Sequence, residues 1–197
     1  MASLVLSGDT SGSVTLAAPA VAGSTTQTLV NVTGTLAPIV SGTAITLTNQ
    51  TAPEFTGIPP WAKRVTLIFS NVSTNGSSVP QIRLGAGSID ATNYTQGNGQ
   101  VVNAAATVAS VNPTTGFALN GNSWSSTVVV HGKLEFVLLD SSTNLWVVSG
   151  VLGRSDAGVI VFLGGSKTLS GFLDRIRVTT VNGTDQYKSG QLNIIYE

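Results

Sequence analysis

Few residues in this chain could carry chemistry. His131 is the only histidine, and there is no cysteine. A Ser-His-Asp hydrolase would need that histidine as its base. A zinc site within one chain would need carboxylates for its other ligands. His131 follows Val128-Val129-Val130 and precedes Gly132-Lys133, which reads as a strand end. Asp90, Glu135, Asp140, Asp156, Asp174 and Asp185 are the candidates for the paired acid and base of a glycosidase. Glu135 falls on the polar side of a strand pattern, and Asp140 and Asp185 fall in turn sequences, so they read as solvated surface. Asp140-Ser-Ser-Thr-Asn144 opens like a calcium loop but lacks the Gly and the closing Glu, and reads as a hairpin turn. Gly85-Ala-Gly87 and Gly97-Asn-Gly99 are followed by no Gly-Lys-Ser/Thr, so they are not phosphate loops. The expectation is a protein that is not an enzyme, with no catalytic, metal or cofactor-binding residue and no cofactor.

Three aromatics suggest binding instead. Tyr94, Phe117 and Trp124 lie among Asn, Gln, Ser and Gly. Rings flanked by amides and hydroxyls suit a glycan, which takes stacking together with hydrogen bonds. Burial in the core or at a subunit contact is the simpler account of them. Trp146, within an apolar strand pattern, reads as core.

The elements that position these residues are strands. Val65, Leu67 and Phe69 alternate with Arg64 and Thr66. Leu134, Phe136 and Leu138 alternate with Lys133 and Glu135. Ile176 and Val178 alternate with Arg175 and Arg177, and Leu192, Ile194 and Tyr196 close the chain in the same way. A period of two buries one face and wets the other. Gly158-Val-Ile-Val-Phe-Leu163 is apolar on both faces, which places it centrally or at a subunit contact. Turn signals stand at Asn75-Gly76, Gly97-Asn-Gly99, Asn120-Gly-Asn122, Gly164-Gly165 and Asn182-Gly183. The reading is an all-β fold, a jelly-roll-like β-sandwich over 58–197 preceded by an extended β-rich arm over 1–57. Ile58-Pro-Pro-Trp61 marks the boundary.

Charge is the second theme. Only 9% of the 197 residues are charged, and net charge is zero. That gives nucleic acid or an anionic membrane nothing to attract, and no apolar run approaches a membrane span. Met1-Ala-Ser-Leu-Val does not open a signal peptide. From Thr10 to Pro53, and again from Ala91 to Val130, there is no charged side chain. At the usual quarter of residues charged, each stretch would hold about ten. Charge is depleted where surface is buried against protein. Before Phe55 the chain has no aromatic, so the first segment buries too little to fold as an independent globule. It is either a flexible arm or one ordered by β-pairing with other chains, and the periods Val14, Leu16, Ala18 and Ile45, Leu47 favour the second. The later gap is either subunit contact or a neutral recognition surface.

Gly8-Asp-Thr-Ser-Gly-Ser-Val-Thr-Leu-Ala-Ala-Pro-Ala-Val-Ala-Gly23, with Thr33-Gly-Thr-Leu-Ala37, resembles the N-terminal segment of many tailed-bacteriophage fibre and virion proteins. Ile58-Pro-x-Trp-x-Lys-Arg-Val-Thr-x-x-Phe69, followed by Val72-Ser-Thr-Asn-Gly76, looks like the start of the β domain in one such group. The run Gly165 to Asp185, with Asn193-Ile-Ile-Tyr-Glu197, is similar to its C-terminal end. The stretch from about 90 to 130 carries no resemblance. The resemblance implies a virion structural protein, a small homotrimeric fibre or decoration protein on head or tail. Residues 1–57 would attach it to other virion proteins, and the β domain would project outward. It implies no catalytic residues. A short chain starting at Met1 leads us to expect a stand-alone head fibre or small tail component. A carbohydrate-binding knob reading host surface glycan through Ala91–Val130 is the alternative, and a polysaccharide-degrading enzyme ranks last.

Overall fold

The computed structural model describes residues 3–7, 11, 13–17, 38–101, 113–119 and 124–197. The chain divides into two units, Met1–Leu36 and Ala37–Glu197. In the first, β1 (Ser3–Ser7) and β2 (Ser13–Ala17) pair antiparallel, Leu4 opposite Leu16 and Leu6 opposite Val14. Val5 and Leu6 point to opposite faces of the ribbon, yet both are exposed. A lone two-stranded pair is marginal in water.

The second unit is all β, and no described residue is helical. Its strands are β3 (Val40–Ser41), β4 (Ile45–Thr46), β5 (Glu54–Thr56), β6 (Arg64–Thr74), β7 (Pro80–Ala86), β8 (Ser88–Ile89) and β9 (Thr95–Val101). They are followed by β10 (Phe117–Ala118), β11 (Val130–Asp140), β12 (Leu145–Arg154), β13 (Val159–Thr168), β14 (Arg175–Thr180) and β15 (Tyr187–Tyr196). The large sheet runs β3-β15-β6-β11-β12-β13-β9, with β4 also on β15; the small one runs β10-β7-β14-β5, with β8 on β7. Every pairing is antiparallel. One core joins the sheets: Leu67, Phe136, Val148 and Val161 from the large one meet Ile82, Leu84, Ile176 and Val178 from the small one. The alternation on β6, β11, β14 and β15 is the expected one, and the sandwich follows from it.

Three sequence expectations need correction. The sandwich begins at Ala37, not at Ile58. Residues 40–50 run along the edge of the large sheet, Val40 opposite Tyr196, Ile45 opposite Leu192 and Gln50 bridged to Tyr187. Leu47 and Phe55 are core, so the end of the first uncharged stretch, from residue 37 to Pro53, belongs to the domain. Gly97-Asn-Gly99 is no turn but the middle of β9, where Gly97 faces Gly164 and Gly99 faces Phe162. Gly164-Gly165 also lies within a strand: a Cβ on Gly165 would meet the Thr95 carbonyl oxygen at 2.5 Å and the Phe117 ring at 2.9 Å. Neither glycine pair reverses the chain, and Gly165 allows a close approach, whereas a Cβ on Gly97 or Gly164 would meet nothing nearer than 4.0 Å. Asn120-Gly-Asn122 lies outside the described residues.

A crease crosses the large sheet. Gly132 on β11, Asn71 on β6 and Gly190 on β15 all have positive φ, and the register slips beside each. These are bulges, which bend and twist a sheet. A Cβ on Gly190 would meet the Asn71 carbonyl oxygen at 2.5 Å, so only glycine fits there.

Candidate functional site

His131 serves the crease. Its Nδ1 accepts the Asn71 backbone N–H at 3.3 Å, and its Nε2 lies 3.1 Å from the Ser155 hydroxyl. With Nδ1 accepting, the neutral ring carries its proton on Nε2 and donates to Ser155. A triad base needs the opposite arrangement, with Nδ1–H held by a carboxylate.

The six candidate carboxylates are all engaged. Asp90 pairs with Lys167, Glu135 with Arg64, Asp156 with Arg154 and Asp174 with Arg175. Asp185 accepts from the Ser78 backbone and the Asn182 amide. Asp140 takes the N–H and hydroxyl of Ser142 and the hydroxyl of Thr143, which hold its carboxyl below the usual range. Its oxygens close a hairpin turn rather than a calcium loop. Among the described residues no group of three or more His, Asp or Glu side chains is arranged to hold a metal.

The three candidate glycan contacts are buried. Tyr94 stands edge-on to Phe117 with ring centres 4.9 Å apart, and Phe117 meets Phe136 at 6.2 Å. The Tyr94 hydroxyl donates to the Asp90 carbonyl and accepts the Leu84 N–H, and burial pushes its ionisation well above the ordinary phenol range. Trp124 donates its indole N–H to Thr74 at 2.7 Å. No sugar reaches these ring faces without opening the core. Their uncharged surroundings reflect packing, because the amides of that stretch turn inward. Gln96 donates to the Pro113 and Gly116 carbonyls and accepts the Ala118 N–H, while Asn98 donates to the Ala118 carbonyl. Side-chain amides of β9 thus stand in for a backbone ladder to β10.

Lys167 was not a sequence candidate, yet it is 4% exposed at the centre of this region. It donates to the Thr92 carbonyl at 2.7 Å, reaches Asp90 at 2.5 Å and lies 5.0 Å from the Tyr94 ring centre. Burial raises the Asp90 carboxyl, but the bonds from Lys167 and Thr92 outweigh it and hold the group below its usual value. The signal for Lys167 was present: it shares the parity of the inward Val159, Val161 and Leu163.

Two surfaces remain open for function. The first is the end of the sandwich formed by 59–63, 90–94, 140–144 and 166–173. A polar cleft of about 440 Å³ lies between Asp90, Asn93, Thr95, Ser166 and Thr168. Beside it, a more enclosed cavity of about 160 Å³ is floored by Ala62, Leu138, Trp146 and Leu173, with Lys63, Ser141, Asn144 and Phe172 around it. The Leu169 N–H, bonded to the Asn144 carbonyl, ties two of these loops together. The second surface is the outer face of β12, β13 and β9, where Val101, Val147, Val151, Ile160 and Phe162 are exposed and no outward residue is charged.

No protein family, no curated protein and no solved structure matches this chain.

Proposed function

We propose that this is a phage virion structural protein, a small trimeric fibre or decoration protein held to the particle by its N-terminal unit. The observation that carries the reading is that unit itself. Its described strands form a two-stranded ribbon with Val5 and Leu6 exposed, in a segment with almost no charge, and such a ribbon is marginal on its own. The outer face of β12, β13 and β9 supports self-assembly: an apolar, uncharged sheet face has the composition of a permanent subunit contact. The fibre-like motifs at both ends of the chain point the same way.

Immunogold labelling of purified particles of a phage that encodes the chain tests the placement. Label on head or tail is expected, and unlabelled particles sink the reading. Native mass spectrometry tests the assembly, and a stable monomer at micromolar concentration removes the trimer. The second reading, a knob that binds host glycan, is favoured by the cavity beneath Trp146 rather than by Tyr94, Phe117 or Trp124.

A further inference from the structure

Glycine weakens a strand interior and stays there where the backbone or a close neighbour requires it. Gly132 and Gly190 have positive φ. A Cβ on Gly150 would meet the Lys133 carbonyl oxygen at 2.5 Å, and one on Gly165 the Thr95 carbonyl oxygen at the same distance. Gly97 and Gly164 have no such reason. They face each other across β9 and β13, and neither has a positive φ. Among the described residues nothing lies nearer than 4.0 Å to a Cβ built on either. Two side chains are missing from the middle of this sheet face, and the described parts of the domain do not use the space. A strand glycine of this kind marks a place where something approaches the backbone from outside.

The register gives the space its shape. Gly97, Gly164 and Ser149 form one row across β9, β13 and β12. Gly99, Phe162 and Val151 form the row on one side, and Thr95, Ser166 and Val147 the row on the other. These residues alternate with the buried Val148, Val161 and Leu163, so they belong to the outer face. The result is a trough beside an apolar ridge, with Phe162 39% and Val151 56% exposed. The two flanking rows stand about 13 Å apart along the strands, which leaves room for one ring between them. No outward residue of the three strands is charged or an amide, and the backbone between them is spent on the ladder. A strongly polar ligand would give up its water there for little return. An apolar side chain from another chain suits the trough.

We propose that the trough takes the Phe162 ring of a second copy of this chain. Phe162 is the exposed aromatic of this face among the described residues, and it stands one row from the trough, so the face carries both halves of the contact. Copy against copy buries no unpaired charge, because neither face has one. The outer face of the three strands covers roughly 450 Å². That is over half of the ~800 Å² that each partner gives to a standard interface, and suits its apolar centre. This contact rests on the self-assembly reading and adds to it the two surfaces that meet.

The test is sedimentation of the full chain, two variants and their combination, with urea unfolding of each at a concentration where it is dissociated. Gly164→Val adds a β-branched side chain to a strand with open space above it, so the unfolding midpoint should hold or rise. The dissociation constant of the assembly should rise at least ~30-fold. Phe162→Ala should weaken assembly to a similar extent. The double variant should be little weaker than either single one, because both remove one contact. Assembly of Gly164→Val as tight as the parent's overturns the contact, and so does a double variant whose losses multiply. Should Gly164→Val lower the midpoint, Gly97→Ala, one methyl in the same trough, replaces it and is read the same way. An assembled parent with an indifferent trough overturns this contact alone. A monomeric parent at micromolar concentration overturns the self-assembly reading with it.

Discussion

The two halves of the large sheet share one core but invert their surfaces. Across β6 and β11 the outward residues include Arg64, Lys133 and Glu135, and the inward ones are Val65, Leu67, Leu134 and Phe136. Across β12, β13 and β9 the outward residues include Val147, Val151, Ile160, Phe162 and Val101. Asn98, Gln100 and Lys167 are turned inward. The inward polar groups are satisfied by β10, Arg154 and Asp90, so they close one edge of the sandwich. The outward apolar ones satisfy nothing within the domain. Folding accounts for the first half of the sheet; the second half carries something more.

The sharpest attempt to break this comparison is in the inward layer, where the halves should behave alike. Phe136→Ala behind the charged half and Leu163→Ala behind the apolar half should each cost about 3–4 kcal/mol in urea unfolding, from lost burial and the cavity left. A negligible loss at Leu163 would show that the apolar half is not held by the shared core. The outward layer should separate the halves. Phe162→Glu places a charge where about 2 kcal/mol of ring burial is expected between subunits, so subunit dissociation should rise ~30-fold or more by sedimentation. Lys133→Glu should leave the mass unchanged. If both variants act alike, the apolar face is not the contact.

The smallest expected effect concerns the inward charge pair. Asp90 has a lowered carboxyl in the folded state, so its stabilisation is present above its unfolded value of 3.8 and is lost as pH falls through the folded one. Asp90→Asn should therefore cost about 1.5 kcal/mol at pH 7, and the gap from the parent should narrow at pH 3. A gap that stays constant with pH would assign the loss to packing rather than to the ion pair.

The sheets were legible because alternation on β6, β11, β14 and β15 is a local signal with a fixed period. β9 was not legible. Its glycines mimic a turn, and its inward residues are amides, so neither hydrophobicity nor composition marks it as a strand; only pairing with β13 does. The N-terminal boundary was misplaced for a related reason. Residues 40–50 are mostly small and polar apart from Val40, Ile45 and Leu47, and they gain their structure from β15, far along the chain. Polar neighbours left an exposed reading of the aromatic candidates open beside the simpler one of burial; the structure buries all three, and Gln96 and Asn98 beside them are bonded inward. The Trp146 cavity had no sequence signal, since it is assembled from three loops and a core ring.

The seam between residues 40–50 and β15 has a mechanical consequence. The strand begins beside the last residues of the chain, with the Gly42 N–H on the Ile194 carbonyl among its first bonds. A load arriving through Ala37 and directed away from the sheet would open these pairs one at a time, like a zip. The same load directed along the strand would be resisted by the whole ladder at once, from Tyr196 to Tyr187. How firmly this edge resists being pulled from the domain therefore depends on the angle of pull as much as on the number of bonds.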